Sequence, residues 1–175
     1  MRFLSSTLPP SKRVALVGIM VAVLEAVKFS LSFLANVELV TLFLILFAIC
    51  FGKETYFAVG IFVVMEGFIY GFGIWWFMYL YIWPSLVTVA RIFRKKESMW
   101  FWVILSALYG LTFGFFCSVP YLFVGGLRTA VSWWIAGIPY DLIHGASNAV
   151  LAIVLFYPLR RILGNIAERI GADPA

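Results

Sequence analysis

Charged residues are scarce in this sequence, and that scarcity bears directly on its class. Asp, Glu, Lys and Arg make up 12% of the 175 residues, whereas hydrophobic residues make up 64%. Soluble domains are about 25% charged and about 45–50% apolar. The composition therefore argues against a water-soluble domain and predicts an integral membrane protein.

The residues that most metal and cofactor sites need are also nearly missing. The single histidine excludes a haem held by two histidines, and Cys50 and Cys117 form no zinc-type cluster. Gly52-Lys53 lacks the earlier glycine and the following Ser or Thr of a phosphate-binding loop. We expect no metal, no cofactor, no disulfide and no ATP hydrolysis on this chain.

What the sequence does contain is a series of apolar runs. A membrane-spanning helix needs about 20 residues, which leaves room for about six short spans. The runs cover residues 14–34, 39–51, 56–70, 75–90, 99–116 and 141–157. We expect an all-α bundle of six transmembrane helices that forms one domain over residues 1–175. The connection 117–138 is predicted to be a long loop with a short interfacial helix at 129–136, and 164–175 a polar tail.

The basic residues are distributed unevenly among the connections. If both ends of the chain are cytoplasmic, the outer segments carry only Arg128, and Lys28 lies within the first run. The cytoplasmic segments then hold Arg2, Lys12, Arg13, Lys53, Arg91, Arg94, Lys95, Lys96, Arg160, Arg161 and Arg169. This is the positive-inside pattern, and it favours an even number of spans.

The stretch before the last run carries the most promising polar residues. Pro139 suits the first turn of a helix, so the last helix is predicted to start there. Asp141, His144 and Asn148 then share one helical face, beside the aromatic residues Trp133, Trp134 and Tyr140. Aromatic side chains around a few fixed polar groups are typical of a small-molecule pocket.

Several ionisable residues fall inside the predicted spans. An unpaired charge at the bilayer centre costs about 2.5–3.5 kcal/mol, so each needs a partner, a route to the surface or a wet cavity. Glu25 and Lys28 are three residues apart and can pair along their own helix. Glu66 has no local partner, so its partner must come from another span. With Glu38, Asp141 and His144, these groups map to the outer half, which predicts an outward-facing cavity.

Each of these residues also has a purely structural interpretation. Asp141 is equally suited to the positive end of a helix dipole, and a lone histidine such as His144 often makes hydrogen bonds inside a bundle. Lys28 could extend toward the membrane surface. Trp75, Trp76, Trp133 and Trp134 could be interfacial anchors.

Small residues are spaced three and four apart in two of the runs. In the first run they are Ala15, Gly18, Ala22 and Ala26, and in the last run Gly145, Ala149 and Ala152. Such spacing allows close approach of another helix. The stripe of the last run is assigned to internal packing and that of the first run is compatible with it, and one of the two could face a partner protein.

Three strings carry a resemblance to a known family. They read A-N-V-E-L at 35–39, E-G-F-I-Y-G-F-G-I-W-W-F-M-Y-L-Y at 66–81 and G-I-P-Y-D-L-I-H-G at 137–145. The chain resembles the S-components, the substrate-binding membrane subunits of energy-coupling factor (ECF) type vitamin transporters, and is most similar to the cobalamin-type group.

The resemblance implies a bacterial cell-membrane protein that captures a vitamin and then joins a transmembrane coupling protein and two ABC ATPases, which use the ATP. The stripe Ala15, Gly18, Ala22 and Ala26 would meet the coupling protein. The expected substrate-binding residues are Asn36, Glu38, Glu66, Trp75, Trp76, Tyr121, Arg128, Trp133, Trp134, Tyr140, Asp141, His144 and Asn148.

Other functions remain open from the sequence. The ligand could be another vitamin, such as pantothenate, riboflavin or folate, although the acidic residues outnumber the basic ones in the outer half and argue against an anionic ligand. A stand-alone secondary transporter would usually show inverted repeats and broken helices, and neither is evident. An intramembrane enzyme using Asp141, His144 and Glu66 would need a nucleophile or metal beside them.

Overall fold

The computed structural model describes residues 8–172, and this part of the chain folds into six α-helices without a strand. The helices are α1 (Pro10–Ser30), α2 (Val40–Phe51), α3 (Glu54–Tyr70), α4 (Ile74–Ile92), α5 (Met99–Ser118) and α6 (Tyr121–Ile170). The all-α prediction and the number of helices are confirmed. The first helix lies earlier than expected, at Pro10–Ser30 instead of 14–34.

Local sequence explains where several helices begin and end. Pro10 occupies the first turn of α1, where its missing N–H leaves no hydrogen bond unmade. Gly52 and Gly71 follow α2 and α3 with φ of 61° and 86°, a left-handed conformation that glycine adopts without a steric penalty. These two glycines allow sharp reversals of the chain direction.

Helix α2 is the centre of the bundle. Every residue of α2 except Phe43 is buried, as expected for a helix that is hydrophobic on all sides. Helices α1, α3, α4 and α6 all contact it, and α5 packs mainly against α6. The remaining helices therefore bury one face each and expose the other.

The connections define two ends of the bundle. At the end that we call the terminal end, where α1 starts and α6 finishes, Arg13 pairs with Glu54 at 2.5 Å. The opposite, distal end carries the α1–α2, α3–α4 and α5–α6 connections. There, Ser147 on α6 donates a hydrogen bond to the carbonyl of Asn36 between α1 and α2 (3.0 Å). The polar residues singled out in the sequence gather toward this distal end.

The largest difference between the prediction and the structure lies in helix α6. The segment 117–138 is not a loop, because α6 is interrupted only at Gly125-Gly126, where Gly126 has φ of 73°. From there the helix continues through Pro139 and Pro158 to Ile170. The last helix therefore does not start at Pro139, 129–136 is not a separate helix, and most of the predicted tail is helical.

Two of the helices, Met99–Ser118 and Tyr121–Ile170, are long and apolar enough to cross a membrane when judged by length and composition alone. Helix α2 is a shorter apolar helix. Large apolar side chains are exposed along the other helices as well, including Phe29 on α1, Phe68 on α3 and Phe77 on α4. Cys50 and Cys117 are both buried free thiols.

Candidate functional site

The polar face of α6 packs against α5 and the α1–α2 connection. Asp141, His144 and Asn148 are all buried on the face predicted from their spacing, with 7%, 4% and 2% of their surface exposed. The Oδ1 atom of Asp141 accepts a hydrogen bond from the N–H of Gly114 at 2.9 Å. The side-chain amide of Asn148 donates to the carbonyl of Ser106 at 3.4 Å.

The histidine of this face contacts Glu38, which lies just before α2. The Nε2 atom of His144 lies 3.1 Å from Oε1 of Glu38, and Oε2 of the same carboxyl accepts the N–H of Thr41 at 2.8 Å. Burial raises the pKa of Glu38, but the hydrogen bonds from His144 and Thr41 outweigh it and hold the pKa below its ordinary value. Glu38 therefore caps the start of α2 and anchors α6 to it.

A cavity of about 370 Å³ opens beside this face at the distal end. Its walls come from the α1–α2 connection, α5 and α6. They comprise Asn36, Phe113, Gly114, Cys117, Trp133, Ala136, Gly137, Tyr140 and Asp141. The cavity is thus aromatic on two sides and contains no basic side chain in its wall.

Asp141 is the main polar side chain of this cavity. Its Oδ2 atom is buried and accepts no hydrogen bond from the residues that the structure describes. A buried polar atom without a partner is unfavourable by about 1–3 kcal/mol. The carboxyl group thus has hydrogen-bonding capacity that the described residues do not use.

Two glycines of α5 make the Asp141 geometry possible, and the sequence analysis missed both. A Cβ atom on Gly114 would lie 2.4 Å from Oδ2 of Asp141, and one on Gly110 would lie 2.8 Å from the backbone nitrogen of Gly145. The signal was present, because Gly110 and Gly114 form a small-xxx-small pair. The α6 stripe around Gly145 therefore serves internal packing.

Glu66 has its partner on another helix, as predicted, and that partner is Lys28. Glu66 is fully buried and forms an ion pair with Lys28, which reaches across from α1. Lys28 also interacts electrostatically with Glu25 on its own helix, but its direct ion pair is with Glu66. The Lys28 ammonium also lies over the rings of Phe62, Tyr70, Trp75 and Tyr79, at 4.6–6.0 Å from their centroids.

A line of aromatic rings connects this ion pair to the face of α6. The successive pairs are Trp75–Tyr79, Tyr79–Trp83, Trp83–Phe113 and Phe113–His144, with centroid separations of 5.0–5.6 Å. The two polar clusters therefore share one packed aromatic layer.

The remaining predicted residues lie outside the cavity wall. Trp76 donates its indole N–H to the carbonyl of Val63 at 2.8 Å. Tyr121 stacks on Trp133 at 5.0 Å, and Trp134 packs against Phe115 at 5.3 Å. Arg128 is exposed. The structure thus brings Asn36, Trp133, Tyr140 and Asp141 together in the cavity, with Glu38 and His144 behind them.

The comparisons with known proteins provide no family assignment. No family model matches the chain, and neither a curated protein nor a solved structure is significantly similar to it.

Proposed function

We propose that this chain is the substrate-capturing membrane subunit of an ECF-type vitamin importer. The observation that carries the proposal is the distal cavity, whose wall combines aromatic side chains with the buried Asp141, and the Oδ2 atom of Asp141 has no hydrogen-bond partner among the described residues. A concave site with aromatic walls and one fixed polar group is the usual form of a small-molecule site.

The exterior of the bundle supports a membrane location. Phe68 and Phe123 expose 78% and 88% of their surface, and many large apolar side chains on α1, α3, α5 and α6 are similarly exposed. Soluble monomers rarely expose contiguous apolar patches of more than a few hundred Å². We propose that all six helices lie in the bilayer as one multi-pass bundle.

The charges support the orientation of that bundle. The terminal end carries Lys12, Arg13 and Lys53, together with the basic residues after α4 and at the end of α6. The distal end carries Arg128 among the residues that the structure describes. By the positive-inside rule the terminal end, with both chain ends, is cytoplasmic, and the cavity opens outward.

A coupling protein and two ABC ATPases are the proposed partners, because the sequence contains no nucleotide-binding motif of its own. The stripe of α1 supplies a candidate interface. Ala15, Gly18, Ala22 and Ala26 are all exposed, and Gly18 lines an apolar groove of about 770 Å³ between α1 and α3. The competing stripe on α6 is occupied by α5.

The cavity size bears on which vitamin is bound. At about 370 Å³ it lies near the lower end of the range of about 300–1,000 Å³ that is usual for small-molecule sites. We propose a vitamin of modest size. The cobalamin-type ligand favoured by the sequence strings is larger, and its binding would require the walls of the cavity to move apart.

Titration of the detergent-solubilised chain with a vitamin panel tests the proposal. The panel comprises cobalamin, riboflavin, folate, pantothenate and thiamine, and heat of binding is measured by calorimetry. One member is expected to bind, and Asp141→Ala is expected to weaken its binding by about tenfold or more, equivalent to about 1.4 kcal/mol.

Asn148→Ala is the matched control for that titration. Asn148 is buried on the same face of α6 but does not line the cavity, so its replacement is expected to leave the affinity nearly unchanged. Equal affinity of the wild-type chain and Asp141→Ala would remove Asp141 from the binding site.

A further inference from the structure

The ammonium group of Lys28 is surrounded by aromatic rings in addition to forming its ion pair. Its ammonium nitrogen lies 4.6 Å from the centroid of Tyr70, 5.3 Å from that of Tyr79, and 6.0 Å from those of Phe62 and Trp75. Rings within about 6 Å attract a cation through their electron-rich faces. We call the four rings with Glu66 and Glu25 the Lys28 cage.

The acidic groups of the Lys28 cage exceed its basic groups. Glu66 is fully buried against Lys28, and Glu25, one turn earlier on α1, lies within electrostatic reach of the same ammonium. The Oε1 atoms of both carboxyl groups are buried and accept no hydrogen bond from the described part of the chain. The cage therefore contains two carboxyl groups for one ammonium, with acceptor atoms to spare.

A cage of aromatic rings beside a carboxylate is a chemical match for an organic ammonium ion. The lysine in it is not locked in place, because 26% of its side chain is exposed and a lysine near a membrane surface can extend its ammonium toward water. Tyr70, half exposed, is the most accessible of the four rings.

We propose that the Lys28 cage is a binding site for an organic cation with N–H donors, and that the Lys28 ammonium occupies this site in the absence of the ligand. When the cation binds, its N–H groups pair with Glu66 and Glu25, and Lys28 moves out toward the distal surface. This site is formed by α1, α3 and α4, whereas the Asp141 cavity is formed by α5, α6 and the α1–α2 connection. The inference is therefore independent of the vitamin proposal.

The test removes the Lys28 side chain by mutation and then adds a small free amine that can occupy its place. Lys28→Ala in detergent micelles removes the ammonium from the cage, and n-butylammonium is the probe because it carries an ammonium group on a four-carbon chain, as a lysine side chain does. We expect n-butylammonium to raise the melting temperature of Lys28→Ala in a saturable manner and to bind it about tenfold or more tightly than the wild-type chain. Neutral n-butanol, which has the same apolar part, is expected to have no saturable effect.

Two further variants separate a cation site from a structural ion pair. Lys28→Met fills the cage with an uncharged side chain and is expected not to respond to n-butylammonium. Lys28→Ala/Glu66→Gln lacks the fully buried carboxylate of the cage and keeps only Glu25, so its response to n-butylammonium is expected to be much weaker. Equal responses to n-butylammonium and n-butanol, or an undiminished response in the double variant, would overturn the proposal.

If Lys28→Ala does not fold, the wild-type chain and Glu66→Gln are compared instead. Excess n-butylammonium then competes with Lys28, and a saturable rise in melting temperature is expected for the wild-type chain alone. The absence of that rise in the wild-type chain, or an equal rise in Glu66→Gln, would overturn the proposal. Neither result would alter the calorimetric test of the Asp141 cavity.

Discussion

At the scale of single residues, the polar groups of the distal end are held by partners far away in the sequence. Glu38 and His144 are 106 positions apart, yet their side chains lie 3.1 Å from each other. Helical spacing predicted that His144 shares a face with Asp141, because that relation is local. It could not predict the contact with Glu38, which depends on how α2 and α6 pack.

Lys28 also shows that spacing along one helix cannot predict a contact with another helix. The sequence predicted a local pair with Glu25, since residues three apart on a helix are neighbours. The Lys28 side chain interacts electrostatically with Glu25 and also forms a direct ion pair with Glu66 on α3, whose fully buried carboxylate needs a countercharge. Spacing along α1 alone could not identify the carboxylate of α3 as a partner of Lys28.

The Glu38 contacts predict a dependence of stability on pH. The pKa of Glu38 is lower in the folded chain than its ordinary value of 4.5, so the unfolded chain takes up a proton first as the pH falls. The stabilisation from Glu38 is complete well above pH 4.5 and is lost as the pH falls below it, through the lower folded-state pKa. Thermal unfolding of the wild-type chain and Glu38→Gln from pH 7 to pH 3 measures this loss.

Glu38→Gln keeps the size of the side chain but removes its titration. We expect its melting temperature to fall less steeply between pH 5 and pH 3 than that of the wild-type chain. Identical slopes for the two chains would show that Glu38 does not contribute to acid sensitivity.

At the scale of the helices, apolar runs predicted five of the six elements within a few residues, and α6 was the exception. Pro139 and the glycines before it were interpreted as the boundary of a loop, because these residues usually interrupt helices. Within α6, the helical backbone is interrupted only at Gly125-Gly126. Proline is tolerated inside membrane helices when neighbouring groups satisfy the freed carbonyl, and a single sequence does not reveal those neighbours.

Close contact between α5 and α6 predicts a specific effect at Gly110. A Cβ atom there would lie 2.8 Å from the backbone of His144 and Gly145, so Gly110→Ala must push the two helices apart. Overpacking of this kind costs about 1–3 kcal/mol. Chemical denaturation in mixed micelles is expected to show a loss of stability in that range.

Gly60→Ala provides the matched control for that helix contact. Gly60 lies in α3, and a Cβ atom there would meet nothing within 4 Å, so the change is expected to be neutral or to stabilise by up to about 1 kcal/mol through helix propensity. Equal losses in Gly60→Ala and Gly110→Ala would mean that the α5–α6 contact is not tight.

At the scale of the whole molecule, the fold separates a polar distal end from a basic terminal end. After Gly126, α6 alone extends for about 60–70 Å at 1.5 Å per residue, which exceeds a bilayer core of about 30 Å. In the proposed orientation its first part, with Trp133 and Trp134, projects outward and its last part, with Arg160 and Arg161, projects into the cytoplasm. This length could not be foreseen from the apolar run 141–157.

The exposed stripe of α1 predicts a variant that separates assembly from ligand binding. Ala22→Trp adds a large ring to an exposed face and is expected to reduce recovery of the complex with the coupling protein by about tenfold or more, because a small-residue face no longer permits close helix approach. Co-purification measures assembly, and calorimetry on the isolated chain is expected to show unchanged ligand affinity.

Val154→Trp is the control for that variant, since Val154 is exposed on the outer face of α6 and lies far along the sequence from the stripe. It is expected to leave assembly intact. Full recovery of the complex with Ala22→Trp would exclude the α1 stripe as the interface.

Uptake of the bound vitamin into liposomes tests the central claim most directly. The chain is reconstituted alone or together with the coupling protein and its two ATPases, and radiolabelled vitamin is counted inside the vesicles with and without ATP. We expect the chain alone to bind the vitamin without accumulating it, and the full assembly to accumulate it only with ATP. Accumulation by the chain alone at the rate of the full assembly would contradict the account.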